Sequence, residues 1–161
     1  MPMETITITA ESKKERYEEL LPQILGILAD ESDLIANLAN VSAALKTAFS
    51  NFSWVGFYLL KNDELVLGPF QGKVACVRIP LGSGVCGTAA KRRETLIVKD
   101  VTTFPGHIAC DPGSQSEIVV PMMSGLYLYG VLDVDSYARD SFDETDRTYL
   151  EKIAEKVSVK F

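Results

Sequence analysis

Trp54-Val55-Gly56-Phe57-Tyr58-Leu59-Leu60-Lys61-Asn62-Asp63-Glu64-Leu65-Val66-Leu67 is the stretch whose reading settles the fold class. From Trp54 to Leu60 the residues are aromatic, branched or aliphatic apart from Gly56, which suits a pleated and half-buried surface. Lys61-Asn62-Asp63 supplies a turn, and Leu65, Val66 and Leu67 return as a second strand. Upstream the periodicity is helical. Leu20, Leu21, Ile24, Ile27 and Leu28 recur at three-four spacing, as do Leu34, Ile35, Leu38, Val41, Leu45 and Ala48, so residues 1–50 read as N-terminal helices. Asp30-Glu31-Ser32 forms the break, with Ser32 or Asp33 capping the second helix. Pro22 either kinks the first helix or lies near its start.

Downstream, Val74 to Ile79 reads as a third strand, ended by Pro80 and the Gly82/Gly84 loop. A short helix from Val85 to Arg92 and a strand Leu96-Ile97-Val98 follow. Residues 99–116 form a long loop rich in Pro, Gly, Asp and Ser, and loops of this length in a compact domain commonly carry function. Ile118 to Met122 and Leu126 to Val134 flank a Ser124-Gly125 turn as a hairpin. A last helix starts at an Asp143 N-cap and places Tyr149, Leu150, Ile153 and Val157 on one face. The order gives an α+β plan, an antiparallel sheet covered by helices, in a single domain over 1–161.

Composition narrows the function classes. The chain has 161 residues, 47% hydrophobic and 24% charged, an ordinary globular balance for one domain. With 16 basic and 22 acidic side chains the formal charge is −6, which disfavours nucleic acid as a partner. No apolar run approaches the roughly 20 residues that span a bilayer, which argues against a membrane protein. The opening MPMETITITAESKK lacks a basic-then-apolar signal pattern, so a cytoplasmic location is expected.

Three cysteines, Cys76, Cys86 and Cys110, carry the chemical interest. An odd count in a reducing compartment argues against a structural disulfide framework, and each thiol alone also suits a small buried hydrophobe. Cys110 lies in the Gly/Pro-bounded loop Phe104-Pro105-Gly106-His107-Ile108-Ala109-Cys110-Asp111, where a thiol is accessible. His107 is placed either to help ionise it or to serve as a rim residue. Cys76, Cys86, His107 and Cys110 make one conceivable zinc set, but the tight knuckle spacing of structural zinc sites is missing. Cys86, in Gly84-Val85-Cys86-Gly87, sits at a helix start, where partial positive charge favours a thiolate.

Strand alternation places Asp133 and Asp135 on one face of Val131-Leu132-Asp133-Val134-Asp135, with Leu132 and Val134 on the other. Paired carboxylates raise at least one pKa, giving a proton donor or a cation site, and Glu117 can reach the same face. Solvent-facing charges at a strand end are the alternative. Trp54, the single tryptophan, is either core or the wall of a pocket for a small apolar or cationic group.

These residues resemble those of the free methionine-(R)-sulfoxide reductases, a family of stand-alone GAF domains. The resemblance is carried by Trp54-Val-Gly-Phe-Tyr, by Leu67 to Pro80 around Cys76, by Gly84-Val-Cys86-Gly-Thr-Ala-Ala and by Phe104 to Asp111 around Cys110. Ser116-Glu117-Ile-Val-Val-Pro and Val131-Leu-Asp133-Val-Asp135-Ser continue it. It implies a six-stranded antiparallel sheet flanked by helices, usually a homodimer. It also implies reduction of free methionine-(R)-sulfoxide, recycled by thioredoxin or another external dithiol, with no bound cofactor or metal. Cys110 matches the nucleophile, and Cys76 or Cys86 the thiol that resolves it. Glu117, Asp133 and Asp135 match the acids lining the substrate site, and Trp54 the wall near the substrate methyl group. In that chemistry a thiolate attacks the sulfoxide sulfur, a carboxyl with a raised pKa protonates the departing oxygen, and a sulfenic acid condenses with a second thiol. Two other classes compete: a non-catalytic GAF ligand-sensor module, which normally accompanies an output domain, and a zinc-stabilised interaction protein.

Overall fold

The computed structural model describes residues 5–161. Residues 1–4, the start of the stretch read for a signal pattern, lie outside the described residues. Helix α1 (Lys13–Asp30) starts where Ser12 Oγ accepts the Glu15 N–H, and it buries Tyr17, Leu20, Ile24 and Leu28 along one stripe. Pro22 lies inside it. Helix α2 (Leu34–Ala48) is capped by Asp33, whose carboxylate accepts the Ala36 N–H at 2.9 Å.

Strands β1 (Trp54–Lys61) and β2 (Glu64–Gln71) then form the hairpin expected from the opening stretch. Its two-residue turn holds Asn62 and Asp63 at φ 50° and 63°, a pattern that fits the twist of the flanking strands. A short β3 (Arg78–Pro80), helix α3 (Gly84–Arg92) and β4 (Leu96–Val98) follow. Strands β5 (Ser116–Ser124) and β6 (Tyr127–Ser136) make a second hairpin, with Ser124 paired to Tyr127. Helix α4 (Glu144–Ser158) closes the chain with a reciprocal cap between Asp143 and Asp146.

The six strands form one antiparallel sheet in the order β3-β2-β1-β6-β5-β4, an α+β fold. Period-two alternation divides its residues between two layers. Val55, Phe57, Ile118, Val120, Leu132 and Val134 face α1, α2 and α4 and build the larger core. Each such side chain contributes about 1.5–3 kcal/mol by leaving water. Trp54, Tyr58, Val119 and Val131 face the other way, toward α3 and the loops. That second face holds the polar residues of interest.

One expected strand is shorter than its sequence suggests. Of the stretch Val74 to Ile79, only Arg78 and Ile79 enter β3. Val74 and Val77 are 90% and 61% exposed, so the two valines that mimic a strand stand largely in solvent. The Cys76 carbonyl accepts the Tyr58 hydroxyl at 2.8 Å instead of joining a ladder. Cys76 therefore rides on a loop over the second face.

Candidate active site

Cross-strand register assembles the acidic centre. Trp54 pairs with Asp135, Asp135 pairs with Glu117, and Asp133 lies between Gly56 and Val119. Glu117 and Val119 of β5 and Val131, Asp133 and Asp135 of β6 thus share one face, as the alternation predicts, while Leu132 and Val134 enter the helical core. The carboxylates are not solvent-facing. Glu117 is 6% and Asp133 5% exposed, and Asp135 is half-buried. Burial, together with the charges of Asp133 and Asp135, pushes the Glu117 carboxyl well above the usual range. Asp135 is pushed well up by burial and by the charges of Asp133 and Asp111, and Asp133 is raised by burial. Asp133 Oδ1 is buried without a hydrogen-bond partner, so it offers a free acceptor to a ligand.

Cys86 occupies the first turn of α3, buried, with its Sγ 3.7 Å from Glu117 Oε1. The helix start was expected to favour a thiolate here. Burial, followed by the charges of Asp133 and Glu117, pushes this thiol well up instead, so it stays protonated. Cys76 and Cys110 are joined as a disulfide, their Cα atoms 5.4 Å apart across a sequence separation of 34. Both are half-buried, and Cys110 lines the pocket, whereas Cys86 remains a free thiol. The bridge engages two of the four residues of the zinc set, so that set does not form in this oxidised state. The ligand atoms that do converge, within 4.8 Å of one another, belong to Cys86, Glu117 and Asp133, a group suited to a cation. His107 lines the same pocket, and burial lowers its pKa, which leaves it neutral at pH 7.

The pocket spans about 550 Å³ with the open solvent at its mouth included, and none of its described lining residues is a lysine or arginine. Trp54 forms one wall, held by its Nε1–H bond to the Lys73 carbonyl at 3.1 Å and stacked on Phe70. Gly72, at φ +143°, permits this approach, because a Cβ there would lie 2.5 Å from Trp54 Cδ1. Opposite stands the start of α3, where the Ser83 side chain makes no cap bond and backbone N–H groups are left without helical partners. The loop residue Ile108 closes onto Gly84, at 3.1 Å from where its Cβ would be.

Two contributors escape the sequence reading. Tyr58 lies on the same β1 face as Trp54 and supports the Cys76 loop through its hydroxyl; the 54-56-58 alternation carried that signal. The uncapped start of α3 is visible only in three dimensions. The arrangement gathers carboxyls with raised pKa values, three converging ligand atoms and an uncapped helix start around one pocket, with the disulfide partner Cys110 in its lining.

The family model described as GAF domain matches residues 29–160. "GAF domain-containing protein A" of Dictyostelium discoideum is 58% identical over 93% of this chain and 95% of that protein. "Free methionine-R-sulfoxide reductase" of Escherichia coli is 47% identical over 88% of this chain and 86% of its own length. The crystal structure of the free methionine-R-sulfoxide reductase of Neisseria meningitidis with its substrate superposes with a TM-score of 0.96 at 50% identity, covering 99% of this chain and 96% of that one. The chain belongs to the GAF-domain family, among the free methionine-R-sulfoxide reductases.

Proposed function

We propose that the protein reduces free L-methionine (R)-S-oxide to L-methionine, using Cys110 as nucleophile and Cys76 as the resolving thiol. One observation carries this reading: Cys110, which lines the same pocket as Glu117, Asp133 and Asp135, is bonded to Cys76. The Cys110 thiolate attacks the sulfoxide sulfur while a protonated carboxyl gives its proton to the oxygen. The oxygen passes to Cys110, methionine leaves, and two electrons move from the cysteine sulfur to the substrate sulfur. Cys76 then displaces the oxygen as water, forming the disulfide.

Selection for the free amino acid follows from charge. An ammonium group fits the acidic row and its unpartnered Asp133 oxygen, and a carboxylate fits the start of α3. A methionine within a polypeptide has neither group. The Trp54 indole suits the substrate methyl group. Cys86, buried and protonated, supports Glu117 as a hydrogen-bond partner and takes no part in the thiol exchange.

Thioredoxin or a similar dithiol restores the thiols by exchange at the half-buried bridge, with no bound cofactor. The reading extends, on family resemblance, to a homodimer in the cytoplasm, where such reductants act. Among the described residues no helix is long and apolar enough to cross a membrane. The test is steady-state turnover of free methionine-(R)-sulfoxide with dithiothreitol or thioredoxin, followed as methionine. Sustained turnover that disappears in Cys110→Ser is expected. No turnover, or undiminished turnover in that variant, overturns the reading.

A further inference from the structure

Tyr137 directly follows β6 and touches both loops that carry the disulfide. Its hydroxyl donates to Asp111 Oδ2 at 2.7 Å, and Asp111 is the chain neighbour of Cys110. Lys73 Nζ stands 5.3 Å over the centroid of the Tyr137 ring, and Lys73 belongs to the loop that carries Cys76. The backbone at Gly113 packs on the same ring, since a Cβ there would lie 3.1 Å from Tyr137 Cε1. The Gly113 N–H fixes the other Asp111 oxygen at 2.9 Å. Ser136, just before Tyr137, accepts the Gln115 N–H at 2.8 Å, which ties this corner to the sheet. Tyr137 is 43% exposed and does not line the pocket, so its position is not explained by substrate contact.

We propose that Tyr137 is a positioning residue that docks the Cys76 and Cys110 loops against each other and so raises the effective concentration of one sulfur toward the other. The proposal rests on the thiol roles given above. In the step it serves, the Cys76 sulfur attacks the Cys110 sulfenic sulfur, an S–S bond forms and the S–O bond breaks. The oxygen takes the Cys76 proton and leaves as water, so the Cys76 sulfur is oxidised and the Cys110 sulfur reduced to the disulfide level. Without an anchor, two mobile loops would meet at the cost of their closure entropy. A fixed post touching both removes much of that cost.

The experiment equilibrates purified full-length protein with reduced and oxidised glutathione and measures the Cys76–Cys110 bridge by thiol trapping and mass spectrometry. Tyr137→Phe keeps the ring and loses only the hydroxyl. Its effective thiol concentration is expected to fall about tenfold, the weight of one hydrogen bond to a charged acceptor. Lys73→Met, which leaves that hydroxyl in place, should fall about twofold to fivefold. In both variants the methionine released in a first turnover without reductant stays at the wild-type rate, while bridge formation slows. Effective concentrations within about twofold of wild type in both variants overturn the proposal. So does a first-turnover rate that falls by the same factor as bridge formation. The glutathione measurement uses no sulfoxide, so it judges Tyr137 even where the substrate reading fails.

Discussion

Glu117 and Asp135 stand directly opposite each other on β5 and β6, two carboxyls in one cross-strand pair, with Asp133 beside them on the same face. Like charges in direct register destabilise a sheet unless protons neutralise them. Burial lifts all three above their ordinary values, and the Asp133 charge lifts Glu117 and Asp135 further. Stability and the proposed proton donation and ammonium binding therefore share one cause.

Stability is expected to fall as pH rises from about 5 to 8. A carboxyl with a raised folded pKa contributes fully below its unfolded value of about 4, and that contribution is lost as pH rises through the folded value. Asp100, Asp111 and Asp143 are displaced downward, so they are ionised in both states across this window. His107, lowered by burial, opposes the fall only below its unfolded value of about 6.5. Glu117→Gln should raise the pH 8 melting temperature by about 2–4 °C, equivalent to about 1 kcal/mol for a chain of this size, and flatten the pH dependence. Thermal melts from pH 5 to 8 check this, and a wild-type midpoint that rises with pH contradicts it.

The three carboxyls should divide between binding and proton transfer. Hydrogen bonds from Glu117 and Cys86 draw Asp133 back down against burial, whereas the Asp133 charge lifts Glu117 and Asp135 further. Asp133, with its buried and unpartnered Oδ1, suits the ammonium. Asp133→Asn should act mainly on KM. Of Glu117→Gln and Asp135→Asn, the one that removes the proton donor should lower kcat by about 10²–10⁴-fold. Steady-state kinetics on the three variants decide it; a purely KM effect in both latter variants excludes a carboxyl donor.

Cys76→Ser should lose more recycling than Cys86→Ser. Cys76 is bonded to Cys110, while Cys86 is buried beside Glu117 with its thiol pushed well up. After one substrate addition, Cys76→Ser should hold a dimedone-reactive sulfenic acid, and Cys86→Ser should form the bridge. The reverse ranking would assign resolution to Cys86.

Much of this site was legible in the sequence. The period-two pattern of β6 placed Asp133 and Asp135 together, and the Asp143 and Asp33 caps marked true helix starts. Val74 to Val77 misled because apolar residues on an exposed loop look like a strand. Partner choice between Cys76 and Cys86 stayed open because it depends on two loops meeting in space. The charge state of Cys86 stayed open because a helix start is local, whereas burial and facing carboxylates are tertiary.

Gly72→Ala should damage the site from outside the pocket. The substitution forces a side chain into a positive-φ position and against Trp54 Cδ1. Strain of about 1–3 kcal/mol and a displaced indole are expected, with a lower kcat/KM. Trp54 is the single tryptophan, so its emission spectrum reports the displacement. Unchanged emission and kinetics would show that the wall tolerates the methyl group.

The most direct measurement is a single turnover without external reductant. Fully reduced protein is mixed with excess free methionine-(R)-sulfoxide, and methionine, remaining thiols and linked peptides are counted. One methionine per chain, a fall from three free thiols to one, and a Cys76–Cys110 peptide link are expected. No methionine, or methionine formed while all three thiols remain free, would contradict it.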